Sequence, residues 1–327
     1  MSKMLCDTIA YSIVIPIFNE ETVLPTLIDR LDAVLSRLDA SAEVIFVDDG
    51  STDRGADIVV DKAERDSRYR LVSFSRNFGH QVAIIAGMDL ACGRAAIVMD
   101  ADLQDPPELL LEMIAKWKSG YEIVVAERLS REGENLFKRL SADLFYRVLR
   151  RLAAADIPRN VGDFRLVDRK VLDVLKRMRE RDPFVRGMFG WMGFRQTSIP
   201  FHRPSRAYGD TKYPFRRMVS LSLHGIIGFS DTPLRLALWL GFGISAIAGF
   251  LCIYFVTLTL YDHTLVQGWA STVVIISFLC GVNLLMTGIV GLYVGRIHTE
   301  VKNRPLYVIT QMVGFENRPA RGSQVIE

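Results

Sequence analysis

EVIFVDDGSTD at residues 43–53 is a short apolar, β-branched run that stops abruptly at two carboxylates and a glycine turn. A run of that length bounded by turn residues reads as a buried strand followed by a tight polar turn. The arrangement occurs again on either side, as SIVIPIFNEE at 12–21 and AAIVMDADLQ at 95–104. The strand candidates in order are 12–17, 43–47, 70–74, 95–99 and 122–126, separated by helical apolar spacing at 22–38, 55–66, 80–92 and 107–118. Strands alternating with helices imply right-handed crossovers and an α/β fold, a Rossmann-like, mainly parallel sheet with helices on both faces. Ligands of such sheets collect beyond the carboxyl ends of the strands, so the polar residues after each strand are the candidate site.

The remainder of the 327 residues has a different character. Two apolar runs, 236–261 and 264–295, are separated only by Asp262 and His263. Each exceeds the roughly 20 residues needed to cross a bilayer, which predicts two transmembrane helices. Arg235 precedes the first run and Arg296, Lys302 and Arg304 follow the second, whereas the connecting turn has no Lys or Arg. The positive-inside rule therefore places both outer ends, and the α/β region with them, in the cytoplasm. A basic amphipathic helix is expected at 135–154, another helix at 168–181, and an interfacial helix at 215–229 lying along the bilayer. The expected organisation is a cytoplasmic domain at 1–213, the interfacial element at 214–231, a two-helix anchor at 232–299 and a cytoplasmic tail at 300–327, disordered over its last ten residues. No short basic, apolar leader opens the chain. A net charge of +3 with 24% charged residues gives no reason to expect nucleic acid as a partner. Cys6, Cys92, Cys252 and Cys280 form no close pair and read as ordinary thiols. Glycines spaced through both spans (Gly241, Gly243, Gly249, Gly281, Gly288, Gly291, Gly295) leave room for close helix approach, compatible with a homo-oligomer.

Three acidic clusters follow strand candidates: Asn19-Glu20-Glu21, Asp48-Asp49-Gly50-Ser51 and Asp100-Ala101-Asp102-Leu103-Gln104. One such turn alone is an ordinary helix cap. Three at one sheet edge repel one another unless a cation is present, and a diphosphate carrying a hard divalent metal supplies what such a pocket needs. Asp100 and Asp102, two residues apart, point to one face of an extended segment, and Gln104 adds a neutral oxygen at the next alternate position. An all-oxygen set with few protein ligands suits Mg²⁺ or Mn²⁺ rather than zinc.

IPIFNEE (15–21), VDDGSTD (47–53), RNFGH (76–80) and MDADLQDPP (99–107) together resemble the motifs of family-two glycosyltransferases. Nearly the whole chain resembles the polyprenyl-phosphate branch of that family, of bactoprenol glucosyltransferase and dolichol-phosphate mannose synthase type. The resemblance implies a GT-A-type fold, with Pro16, Phe18, Glu20 and Asp49 lining the base and ribose pocket and Asp48 beside them. It implies that Asp102 and Gln104 hold the metal, with Asp100 close to the ribose or the ion, and that Arg128 lies near the donor diphosphate or acceptor phosphate. GDFRL at 162–166 resembles a signature of the bactoprenol glucosyltransferase side, where Asp163 would position the donor sugar or the acceptor; a plain turn is the other reading. RAYGDTKY at 206–213 resembles the family's acceptor element, so Arg206, Lys212 and Tyr213 are expected on the lipid phosphate, with Lys138, Arg139 and Ser141 as further contacts.

The expected reaction is single-step transfer of one sugar from a nucleotide-sugar to polyprenyl phosphate with inversion, UDP-glucose being the leading donor and GDP-mannose or a UDP-amino sugar the alternatives. Processive polysaccharide synthases resemble one another in a Gln-x-x-Arg-Trp element, and no Arg-Trp pair occurs in this sequence. A non-catalytic lipid- or nucleotide-binding scaffold is the competing reading, and the intact Asp-x-Asp weighs against it.

Overall fold

The computed structural model describes residues 9–129, 161–178, 180–181, 183–202, 232–261 and 268–315. In chain order the elements are β1 (Tyr11–Ile17), α1 (Leu24–Leu35), β2 (Ala42–Asp48), α2 (Gly55–Arg65), β3 (Tyr69–Phe74), α3 (His80–Leu90), β4 (Ala95–Val98), α4 (Leu109–Lys118) and β5 (Ile123–Arg128). They continue with β6 (Val161–Asp168), α5 (Arg169–Leu175), α6 (Val185–Met192), β7 (Gln196–Phe201), α7 (Thr232–Tyr261), α8 (Trp269–Val301) and β8 (Ile309–Val313). The chain forms two compact units, the first holding the sheet and including the segment from Arg304 onward, the second holding α7 and α8.

All eight strands join one sheet in the order β7-β5-β6-β4-β1-β2-β3-β8. The β4-β1-β2-β3 centre is parallel, as the sequence predicts, and β7 is parallel to β5. The sheet as a whole is mixed, because β6 runs antiparallel between β4 and β5 and β8 runs antiparallel along β3. The central strands are buried on both faces, which is why their sequences are mainly apolar rather than alternating, with Ser12, Glu43, Arg70 and Ser73 as buried polar exceptions. α1 shows the complementary pattern, burying Leu24, Leu27, Ile28, Leu31, Val34 and Leu35 on one stripe. α3 lies so close to the sheet that a Cβ at Gly87 would overlap Val14 Cγ1 and sit 3.1 Å from Val47 Cγ2.

Pro16 stands inside a central strand, a position that ordinarily needs its N–H. Val14 gives its carbonyl to the Met99 N–H, so two residues further on Pro16 faces the same side, where pairing with β4 has ended at Val98. The missing donor costs no ladder bond there. β1 and β4 part at the point where the strand order reverses, the place where open α/β sheets bind their ligands.

Three expectations need correction. The helix expected at 168–181 is α5 alone, Arg169–Leu175, capped by the Asp168 side chain on the Lys170 N–H. GDFRL is neither loop nor turn but the body of β6. Cys92 is disulfide-bonded; pairing depends on which thiols the fold brings together, which spacing does not reveal.

α7 and α8 run 30 and 33 residues, about 45 and 50 Å at 1.5 Å per residue. Among the described residues, Phe278–Val301 is long and apolar enough to cross a membrane, and Ala237–Leu251 is a shorter apolar stretch. Both helices present large apolar side chains outward, including Trp239, Phe242, Phe250, Leu284 and Ile297. The expected helices at 135–154 and 215–229 lie outside the described residues.

Candidate active site

Six segments meet at the carboxyl edge of the sheet: the turns after β1, β2, β3 and β4, the end of β5, and the start of the antiparallel β6. The first two turns are tied side chain to backbone. Asn19, at φ 57°, accepts the Thr52 N–H at 2.8 Å, while its own N–H donates to Ser51 Oγ at 3.0 Å. Asp53 accepts the Glu21 N–H at 2.9 Å, and Glu21 accepts the Arg54 N–H at 3.0 Å. The third turn docks against the second. Gly50, at φ 73°, leaves its would-be Cβ position only 2.6 Å from the Arg76 carbonyl carbon, so a side chain there would push the 76–77 backbone away.

Asp48 and Asp49 are both buried. Asp48 accepts the Ser51 N–H at 2.9 Å, and Asp49 accepts the N–H groups of Phe78 at 2.7 Å and Gly79 at 3.0 Å. Burial raises the Asp49 carboxyl above its ordinary range against the pull of those two amides. Glu20 is half-buried and Phe18 stands exposed beside this pair, available to a planar ligand.

In the turn after β4, the Gln104 N–H donates to Asp102 Oδ1 at 3.1 Å and Leu103 takes φ 59°. Asp105 accepts the Asp100 N–H at 3.1 Å with one oxygen; its other oxygen is buried with no hydrogen-bond partner. Burial first, and the Asp100 charge second, push Asp105 up to about 7. Carboxylate and amide oxygens at this turn, together with that orphaned oxygen, fit a hard divalent cation. No three His, Cys, Asp or Glu side chains among the described residues converge on one metal position. The remaining coordination would come from phosphate and water, as is usual for Mg²⁺ and Mn²⁺ sites that carry nucleotide.

Asp163 enters from β6. Continuing the β4–β6 register, in which Val98 faces Arg165, brings it opposite Asp100. His80, the first residue of α3, lies between the two carboxylates, its Nε2 3.3 Å from Asp100 Oδ1 and 3.7 Å from Asp163 Oδ2. Burial opposes charging the ring, but the two carboxylates outweigh it and raise His80 to about 10. Arg186 grips Asp163 in a fork, Nε to Oδ1 at 2.8 Å and a terminal nitrogen to Oδ2 at 2.9 Å. Gln81 donates to Asp163 at 3.1 Å and accepts the Val185 N–H at 3.2 Å, tying α3 to α6. Burial works against the Asp163 charge, yet His80 and Arg186 hold its carboxyl well below the usual range. Arg128, at the end of β5, lies over Gly162: a Cβ there would be 2.8 Å from its terminal nitrogen.

The sequence profile described as glycosyl transferase family 2 matches residues 12–175, about half of the chain and the part that builds this edge. The chain belongs to that family. It is 48% identical to the uncharacterized glycosyltransferase YkcC of Bacillus subtilis (strain 168), over 95% of this chain and 96% of the relative. It is 37% identical to the bactoprenol glucosyl transferase of Shigella phage SfII, over 91% and 96%. Among solved structures, glucosyl-3-phosphoglycerate synthase from Mycobacterium tuberculosis, in complex with Mn²⁺, UDP-glucose and phosphoglyceric acid, is similar at a TM-score of 0.46 and 16% identity, covering 69% of this chain and 80% of that one.

This glycosyltransferase thus gathers Pro16, Phe18, Glu20, Asp48, Asp49, Asp100, Asp102, Gln104, Arg128 and Asp163 at one edge of the sheet. The acceptor residues expected at Lys138, Arg139, Ser141, Arg206, Lys212 and Tyr213 lie outside the described residues. Sequence reasoning assigned no role to His80 or Asp105, although both stand within the quoted motifs RNFGH and MDADLQDPP. Gln81 directly follows the first of these. Arg186 carries no local signal; it joins the site from α6, which Gln81 ties to α3 through the Val185 N–H.

Proposed function

We propose that this glycosyltransferase moves a single sugar, glucose from UDP-glucose as the leading donor, to polyprenyl phosphate with inversion, at the cytoplasmic face of a membrane. The observation that carries the reading is the gathering of Asp49, Asp100 and Asp163 around His80 at the carboxyl ends of β2, β4 and the start of β6, with Asp102 in the turn that follows Asp100. The bactoprenol glucosyl transferases that align along 91% of the chain support the lipid acceptor and the sugar.

In this reading Pro16, Phe18, Glu20, Asp48 and Asp49 receive the base and ribose. A Mg²⁺ or Mn²⁺ ion held by Asp100, Asp102 and Gln104 would neutralise the donor diphosphate. The acceptor phosphate is already anionic near neutral pH, with a second pKa of about 6, so the enzyme needs no general base. Its task is to place that oxygen behind the anomeric carbon and to stabilise the departing diphosphate. Arg128 and the His80 imidazolium supply positive charge at the same edge. Asp163, its oxygens engaged by Arg186 and Gln81, orients these groups rather than accepting a proton. Arg206, Lys212, Tyr213, Lys138, Arg139 and Ser141 are assigned to the lipid phosphate.

The membrane assignment draws support from the fold as well as from hydropathy. β8 follows α8 in sequence and pairs with β3, which precedes α7. A single crossing between residues 201 and 309 would leave these two strands on opposite sides of the bilayer. An even number of crossings is required, and α7 with α8 supplies two. Outward-facing Trp239, Phe242, Phe250 and Leu284 are what lipid, rather than water, would stabilise.

The test is transfer of radiolabelled sugar from a panel of UDP- and GDP-sugars to undecaprenyl phosphate by purified protein in detergent, with and without Mg²⁺ or Mn²⁺. A chloroform-soluble product from UDP-glucose, lost with chelator and in Asp102→Asn, is expected. Absence of lipid product from every donor would sink the lipid-acceptor reading.

A further inference from the structure

The chain that returns from α8 does more than close the sheet. Tyr307 is buried and stacks on Phe74 at the end of β3, with centroids 5.1 Å apart and planes at 17°. Phe74 in turn meets the edge of Phe78 at 5.7 Å. The Tyr307 hydroxyl lies 3.4 Å from Asp89 on α3, and the Val308 carbonyl accepts the Ser75 N–H at 3.0 Å. The loop 75–79 is therefore held from one side by the returning tail. On its other side the loop presents the Phe78 and Gly79 amides to Asp49 and backs onto Gly50. An aromatic stack and a backbone bond thus connect residues 307–308 with the carboxylate assigned to the ribose.

We propose that the segment 306–313 belongs to the donor-binding apparatus, with Tyr307 as a positioning residue that sets the 75–79 loop and, through its amides, the Asp49 carboxylate. This rests on the reading of the β1/β2 edge as the nucleotide pocket. It makes donor affinity depend on a residue 258 positions away in sequence, just beyond α8.

Binding of UDP and of GDP to purified full-length protein in detergent tests the idea, with donor KM, kcat, acceptor KM and thermal denaturation measured alongside. The proteins compared are wild type, Tyr307→Phe, Tyr307→Leu and Tyr307→Ala. Removing the ring is expected to weaken nucleotide binding and raise donor KM about three- to tenfold, the scale of one aromatic pair, with kcat and acceptor KM unchanged. Tyr307→Phe, which keeps the stack, should bind as wild type does. Tyr307→Leu decides the matter if Tyr307→Ala does not fold. A folded Tyr307→Leu protein that binds nucleotide as tightly as wild type, even with a lower melting temperature, overturns the proposal while leaving the nucleotide pocket standing. Wild type that binds neither nucleotide overturns both.

Discussion

Asp163 is surrounded by donors: the Arg186 fork, the Gln81 amide and His80, with Arg165 3.9 Å away. A carboxylate held this way is a poor proton acceptor, and displacing it would leave Arg186 and the buried Arg165 without their counter-charge. Asp163→Asn and Arg186→Met are each expected to lower kcat by about 100-fold, the penalty of misplacing reacting groups by about 1 Å, without moving the pH profile as loss of a general base would. Gly162→Ala tests the neighbouring contact. Its new methyl would displace the Arg128 side chain, so transfer should fall while donor binding and melting temperature stay near wild type. Asp105 gives a prediction in pH. Its carboxyl is raised by burial to about 7, so the folded chain holds the proton more tightly than the unfolded one, and the cost of ionising it is absent below 3.8 and grows until about pH 7. Metal-free protein should lose melting temperature as pH rises through that window, by an amount that Asp105→Asn removes. Identical pH slopes for the two proteins would contradict this.

At the scale of elements, legibility followed burial. β1 to β4 and the helices between them are readable because both faces of the parallel strands are covered, so mainly apolar runs mark them and the buried charges Glu43 and Arg70 fall near the strand starts rather than in mid-run. β6 escaped because two of its buried positions, Asp163 and Arg165, are charged; they pair within the site, and their charge breaks the pattern that announces a strand. β7 alternates weakly and contains Pro200, which suits the edge position it occupies but argues against a strand when the sequence is read alone. The metal turn and the Asp48-Asp49 turn are legible because their chemistry is local in sequence, whereas the fork on Asp163 joins residues 23 apart, one on β6 and the other on α6. Close packing of α3 on β1 and β2 is equally invisible in sequence and is testable. Gly87→Ala would force a methyl into Val14 and should destabilise the protein by about 1–3 kcal/mol, read as a lower midpoint in chemical denaturation.

For the whole molecule, chain order constrains topology more firmly than hydropathy does. Residues 262–267 connect α7 to α8 and contain no Lys or Arg, whereas Arg296 lies in the last two turns of α8 and Lys302 and Arg304 follow it. Because β8 pairs with β3, the segment after α8 must share a compartment with the sheet. In the function proposed above, the positive charge after α8 assigns that compartment to the cytoplasm. A protease site placed within 262–267 is therefore expected to be cut from outside in intact cells, while sites at the amino terminus and after residue 315 are cut only once the membrane is opened. If α8 alone crossed the membrane, the 262–267 site and the terminal site would lie on opposite sides, but β8 could not then reach β3. Protection of the 262–267 site in intact cells, with cleavage on permeabilisation, would place both helices on the cytoplasmic side and remove the transmembrane anchor from the reading of this enzyme.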